Sequence, residues 1–208
     1  MEYCTVHRDS EKTKQKILAG LERLITSKGF TGVGVNAVAR EAGVDKVLIY
    51  RYFGSMEGLL QAFADNKDFF PRMADVFDGI PEGTPLHEIA TRMILEHIRV
   101  FQSSPLAQEL VCWELTEQNP LTIMFGREME KHELTALAER GIVLDEDVVT
   151  LSVVVLCGLE YLVLRGRNNN PMMKLDYSVP ETREKIHKMV SSVMKAFFKS
   201  REDEDSTE

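Results

Sequence analysis

The sequence predicts an all-α protein of about nine helices. Apolar residues recur at helical spacing along most of the chain, and no stretch alternates apolar with polar residues as a half-buried strand does. Gly, Pro and Asn clusters separate the periodic segments. These observations give the fold class before any motif is considered.

In the first helix Ile17, Leu18, Leu21, Leu24 and Ile25 form one apolar stripe. Asp9 or Ser10 is placed to cap it, and Gly29 to end it. A short second helix spans 35–42 and stops at Gly43. A third runs from about Asp45 to Phe53 and stops at Gly54. Ser55 caps a fourth, which ends before Pro71. A loop with Pro71, Gly79, Pro81, Gly83 and Pro85 precedes an amphipathic helix at 86–101. Pro105 and Pro120 sit where a first-turn proline is tolerated, opening helices at 105–118 and 120–140, the latter closed by Gly141. The helix at 145–166 is apolar nearly all round and must be covered on most sides. Asn168, Asn169, Asn170 and Pro171 break the chain. A last helix at 181–200 then carries Ile186, Met189, Val190, Val193, Met194 and Phe197 on one face. The acidic tail 201–208 is expected to be disordered.

The chain of 208 residues carries a formal net charge of −8, unevenly spread. Residues 1–60 hold nine Lys+Arg against seven Asp+Glu, a net of +2, which leaves −10 for the other 148. A polyanionic partner would meet the N-terminal quarter and be repelled elsewhere. Cys4, Cys112 and Cys157 form no CxxC pair, so reduced thiols are expected rather than a zinc site or a disulfide framework. The N-terminus has no apolar run behind its charges, and the most apolar stretch, 148–164, contains Glu160 and is shorter than a membrane span. The expected location is cytoplasmic, with no membrane partner. No GxSxG elbow, phosphate loop or HExxH is present and the five histidines are dispersed, so neither an enzyme nor a cofactor is predicted.

Residues 34–53 fit a helix-turn-helix. Val38 and Ala39 supply the apolar and small residues of a helix crossing, and Gly43 tolerates the positive φ of the tight turn. Val44 and Ile49 anchor the second helix from beneath. Lys46, Val47, Tyr50 and Arg51 then lie on its outward face, free to enter a major groove while flanking groups reach phosphates.

The run from KQKILAGLERLITSKGF through GVNAVAREAGVDKVLIYRYFGSMEGLL, about residues 13–60, resembles the DNA-binding domain of the tetracycline-repressor-like (TetR/AcrR) family. The likeness lies in the Ile-Leu of the first helix, the Gly-aromatic before the second, the turn glycine and the terminal Tyr-x-Tyr-Phe. It implies a DNA-binding domain at 10–55 and a ligand-binding and dimerisation domain at 56–200. Tyr50 and Tyr52 resemble phosphate-contacting positions. Lys46 and Arg51 resemble positions that reach bases or backbone, and Asn36 one that touches a base or phosphate. Gly34 departs from a favoured Ser/Thr cap. Val47 and Leu48, at DNA-facing positions, replace a small residue and a hydroxyl, and Met56 replaces a common Lys. Fewer phosphate contacts follow, and a shallower salt dependence.

The resemblance also implies a homodimer through the last two helices, a pseudo-palindromic DNA operator and a small-molecule effector that releases a repressor. The residues suit a dimer, because two apolar helices are more than a monomer covers, and Ser152, Cys157 and Gly158 permit close approach. Candidate pocket residues are Met93, His97, Phe101, Trp113, Met124, Phe125, Glu160 and Tyr161. A lone His on an apolar stripe such as His97, and Met and aromatic stripes, are more often core packing, and Glu160 suits an ion pair at least as well as a ligand. A ligand-independent DNA-binding or partner-binding protein of the same fold is the alternative. A buried large-domain cavity of several hundred Å³ discriminates the two.

Overall fold

The computed structural model describes residues 2–66, 80–138 and 141–205. Among them the chain forms nine α-helices and no strand beyond an isolated bridge between Met172 and Leu175. In chain order the helices are α1 (Glu2–Lys28), α2 (Val35–Ala42), α3 (Lys46–Phe53), α4 (Met56–Asn66), α5 (Leu86–Ser103), α6 (Pro105–Glu114), α7 (Pro120–Ala138), α8 (Glu146–Arg167) and α9 (Pro180–Asp205).

Several boundaries differ from the sequence reading, for physical reasons. Asp9 and Ser10 do not cap α1, which begins at Glu2 and runs straight through them. The segment around them is rich in Glu, Lys and Gln, good helix formers that continue a helix as readily as start one. The predicted helix 105–118 ends at Glu114. Residues 117–119 are drawn into a cap for α7: Asn119 Oδ1 accepts from the N–H groups of Leu121 and Thr122 (3.0 and 3.1 Å), and the Thr122 hydroxyl donates to the Glu117 carbonyl. The tail expected to be disordered is helical to Asp205, while 206–208 lie outside the described residues. Arg201 holds that end of α9 by reaching Asp145 and Asp147 at the start of α8, both at 3.0 Å. The predicted end of the fourth helix before Pro71 lies outside the described residues.

The chain gathers into two compact units, residues 1–69 with 104–131 and residues 70–103 with 132–208. The division differs from the expected one at 55/56, because α4, α6 and part of α7 join the N-terminal helices.

In the first unit the α1 stripe is buried: Ile17, Leu21, Leu24 and Ile25 are almost wholly inaccessible. α2 contributes Val38, Ala39 and Ala42, α3 contributes Ile49, and α4 contributes Leu59, Leu60 and Phe63. In the second unit α5 packs on α8 and on α9. α5 buries Ile94, Ile98 and Phe101, α8 buries Leu159 and Val163, and α9 buries Val190 and Met194. The stretch 148–164 belongs to a longer helix, 22 residues, which by length and composition is sufficient to cross a membrane. Little of it is covered within the chain: Val149, Val153, Val154 and Tyr161 are exposed.

Candidate nucleic-acid interface

The geometry of α3 is fixed by its two ends and its underside. Gly43 closes α2 in the left-handed region (φ 60°, ψ 46°), a conformation that a Cβ disfavours and that turns the chain sharply into α3. Lys16 of α1 donates to the Gly43 carbonyl at 3.3 Å. Arg23 donates to both the Glu41 carboxylate and the Glu41 carbonyl at 3.1 Å, so the turn is tied to α1 from two sides. Sequence reasoning missed Lys16 and Arg23. Their only signal is basic charge on the polar face of α1, where most such residues are merely solvated.

Asp45 caps α3 by accepting the Val47 N–H at 2.8 Å. Gly34 gives α2 no side-chain cap, as its lack of a hydroxyl implied. Replacing Asp45 by Ala is expected to cost about 0.5–2 kcal/mol. Thermal unfolding would then fall by roughly 2–4 °C per kcal/mol, and an unchanged midpoint would show the cap to be idle.

Ile49 is completely buried, which turns the opposite face outward. Val47 is 62% exposed and Tyr50 51% exposed, and Lys46 and Arg51 are also exposed. Leu48 and Tyr52 are half-buried on the flanks, and Asn36 of α2 is exposed. Among the described residues the side chains of Lys46, Tyr50 and Arg51 make no hydrogen bond or ion pair. Their donors are therefore free for an external acceptor. A phenol, an ammonium and a guanidinium on two successive helical turns suit phosphate oxygens and purine edges.

The candidate pocket residues do not form one group. Met93 and His97 line an apolar cavity of about 100 Å³ in the second unit, with Ile94, Leu144, Val153 and Leu156 among its walls. His97 and Glu160 meet there, with Nε2 and Oε1 3.0 Å apart, both nearly buried. Phe101 is buried in α5, and Tyr161 is exposed, with the Arg165 guanidinium 5.8 Å from its ring centroid. Trp113, Met124 and Phe125 belong to the first unit.

Trp113 stacks on Phe30, centroids 5.8 Å apart and rings 17° from parallel, and its indole N–H donates to Glu117 at 3.2 Å. One turn earlier on α6, buried Glu109 accepts the Phe30 N–H at 3.2 Å. Gly29, at φ 73°, admits this approach, since a Cβ there would stand 2.9 Å from the Glu109 carboxylate. Glu109 and Trp113 thus brace the turn from α1 into the helix-turn-helix. The sequence singled out Trp113 as a pocket candidate and carried no sign of its partner. Among the described residues no group of three or more His, Cys, Asp or Glu side chains is placed to hold a metal ion.

The family model described as "Bacterial regulatory proteins, tetR family" matches residues 17–63, from the buried stripe of α1 to the middle of α4. An uncharacterized HTH-type transcriptional regulator of Mycobacterium tuberculosis is 28% identical over 120 residues, 55% of this chain and 54% of that protein. Another, encoded in the lacX 3' region of Lactococcus lactis subsp. lactis, is 41% identical over 54 residues, 26% of this chain and 28% of its own. The matches to these curated relatives thus span about half of their length or less. Among solved structures, a TetR transcriptional regulator from Rhodococcus sp. RHA1 aligns with TM-score 0.55 at 18% identity, over 88% of this chain and 96% of that one. The regulator FadR of Bacillus subtilis, solved with stearoyl-CoA, aligns with TM-score 0.53 at 18% identity, over 87% and 95%. These structural likenesses show the fold, and the match at residues 17–63 falls on the helices that present the free face of α3. Residues 17–63 are thus similar to the tetR family of bacterial regulatory proteins, and the chain shares the fold of solved TetR-family regulators.

Proposed function

We propose that the protein is a cytoplasmic homodimer whose two α3 helices enter successive major grooves of a pseudo-palindromic operator and repress transcription there. The observation that carries this reading is the outward face of α3: Lys46, Tyr50 and Arg51 are exposed and, among the described residues, unpartnered above a wholly buried Ile49. Tyr52 and Asn36 supply flanking phosphate or base contacts, and Val47 and Leu48 make apolar contacts in the groove. Capture of genomic fragments by the purified protein, followed by mobility-shift titration of the recovered DNA, tests the reading. Absence of any enriched fragment would contradict it.

The dimer rests on uncovered apolar surface. Val149, Val153 and Val154 of α8 and Met189 and Val193 of α9 are exposed in one chain, and exposed Cys157 and Gly158 let a partner helix approach closely. Light scattering at micromolar concentration is expected to give twice the mass of the 23.6 kDa chain. A monomer under those conditions would refute the dimer.

In the effector-responsive form of this reading, a small molecule enlarges the apolar cavity beside His97 and Glu160. It stabilises the conformation with the lower DNA affinity, and α4, through Leu59, Leu60 and Phe63, transmits the change. The ligand-independent reading is favoured by one observation: the cavity is about 100 Å³, below the roughly 300–1,000 Å³ of small-molecule sites. Replacing Met93 by Trp fills that cavity. In the effector-responsive form this variant keeps operator binding but loses derepression by a metabolite extract. Equal operator occupancy with and without extract, in both proteins, would leave the ligand-independent form standing.

A further inference from the structure

Besides the apolar cavity, the second unit holds an open groove of about 1100 Å³, walled by the outer face of α5 and one stripe of α9. That stripe is Arg183, His187, Ser191 and Lys195, spaced every four residues. At about 100° per residue it lies nearly opposite the uncovered Met189 and Val193. A second chain seated on those apolar residues therefore need not occupy the groove.

The groove is cationic in a protein of net charge −8. Arg92, Arg99, Arg183 and Lys195 line it against Glu88 and Glu96. Glu96 is already engaged by Arg99, whose Nε and Nη2 donate to its two oxygens at 2.8 and 2.5 Å. Arg183 is different. It is half-buried, and its side-chain contact is the neutral Gln102 oxygen, 3.5 Å from Nη1. A half-buried guanidinium that meets, among the described residues, only a neutral acceptor retains a fork of donors suited to an oxyanion.

The floor adds polar groups without adding negative charge. Tyr177 is 1% exposed and its hydroxyl meets His187 Nε2 at 2.7 Å. Burial pushes the Tyr177 hydroxyl up to about 12, with Arg183 pulling the other way. Burial, and then the charge of Arg183, pushes the His187 ring down. Both groups are therefore neutral at neutral pH, and neither offsets the guanidinium.

We propose that the groove between α5 and α9 binds a small multiply charged oxyanion, with Arg183 gripping it and Lys195 closing over it. Carboxylate and phosphate groups share this chemistry, so two probes separate them: citrate and inorganic pyrophosphate, each titrated calorimetrically into the full-length protein. One probe is expected to bind once per chain with a dissociation constant below about 1 mM. Arg183→Gln, and separately Lys195→Gln at the exposed rim, should each weaken that binding about tenfold or more. Should Arg183→Gln fail to fold, Lys195→Gln still decides. A Lys46→Ala/Arg51→Ala variant should bind the probe as wild type does, because its changes lie on the DNA face. The site is overturned if neither probe binds below about 10 mM. Undiminished binding by the folded groove variants, or loss of binding in the α3 variant, equally overturns it. The assignment does not depend on what α3 binds, and loss of DNA binding alone leaves it untouched.

Discussion

Replacing Tyr50 by Ala is expected to weaken operator binding about 10- to 100-fold while leaving the fold intact. The two halves of that expectation have separate causes. Tyr50 is half exposed and its side chain makes no hydrogen bond among the described residues, so removing its ring opens no core cavity. Ile49, the adjacent buried residue, continues to hold the helix. On DNA, by contrast, the ring and its hydroxyl are a contact of the kind whose loss costs roughly 1–3 kcal/mol. Anisotropy titration measures the affinity, and thermal unfolding confirms the fold. Salt dependence adds a further discrimination. Tyr50 carries no charge, so the slope of affinity against salt should be unaltered in Tyr50→Ala. Lys46→Ala should lower that slope by about one. Wild-type affinity in the Tyr50 variant would remove this face from the interface.

Replacing Trp113 by Ala is expected to have the largest effect on stability. Trp113 is 4% exposed and stacked on Phe30, and truncating a buried Trp costs about 3–5 kcal/mol. At roughly 2–4 °C per kcal/mol, the melting midpoint of the first unit should fall by about 6 °C or more. The damage should not stop at stability. Phe30 and Gly29 form the turn that delivers the chain into α2, and Glu109 on the same helix as Trp113 accepts the Phe30 N–H. Without the indole the turn is held on one side only, and operator affinity should drop even at temperatures where the protein is folded. A residue that merely lined an effector pocket would behave otherwise: the midpoint would hold within about 2 °C and DNA binding would survive.

These two residues also show what sequence does and does not disclose. α2 and α3 were legible almost to the residue, because their ends are written in local chemistry. Gly34 lacks a cap, Gly43 takes the left-handed turn, Asp45 caps α3 and Gly54 stops it. The outward face followed from the same 3.6-residue period that buries Ile49. Long-range partners were not legible. Trp113 stood out as a pocket candidate, but nothing local says that its partner is Phe30, 83 positions earlier.

His97 and Glu160 were both singled out as pocket candidates, yet their meeting at 3.0 Å is a tertiary fact. The continuation of α9 past residue 200 depends likewise on Arg201 reaching Asp145 and Asp147. An acidic helix end would otherwise oppose its own dipole. The start of α1 was missed for the opposite reason. Asp9 and Ser10 are good caps by type, but a capping residue inside a run of helix formers does not oblige the helix to begin there.

The groove between α5 and α9 was also out of reach. Its stripe on α9 is regular, but Arg, His, Ser and Lys at four-residue spacing describe any solvated helix face. Only the opposing cations of α5 and the buried Tyr177 hydroxyl make it a cavity.

The central claim is that paired α3 helices read DNA. Hydroxyl-radical footprinting of a captured genomic fragment tests it most directly. The account predicts two protected patches about 10–10.5 base pairs apart, centre to centre, or a multiple of that spacing. It also predicts that both patches vanish together in Tyr50→Ala at the protein concentration that saturates the wild type. A single unpaired patch, or protection that persists undiminished in the Tyr50 variant, would contradict it.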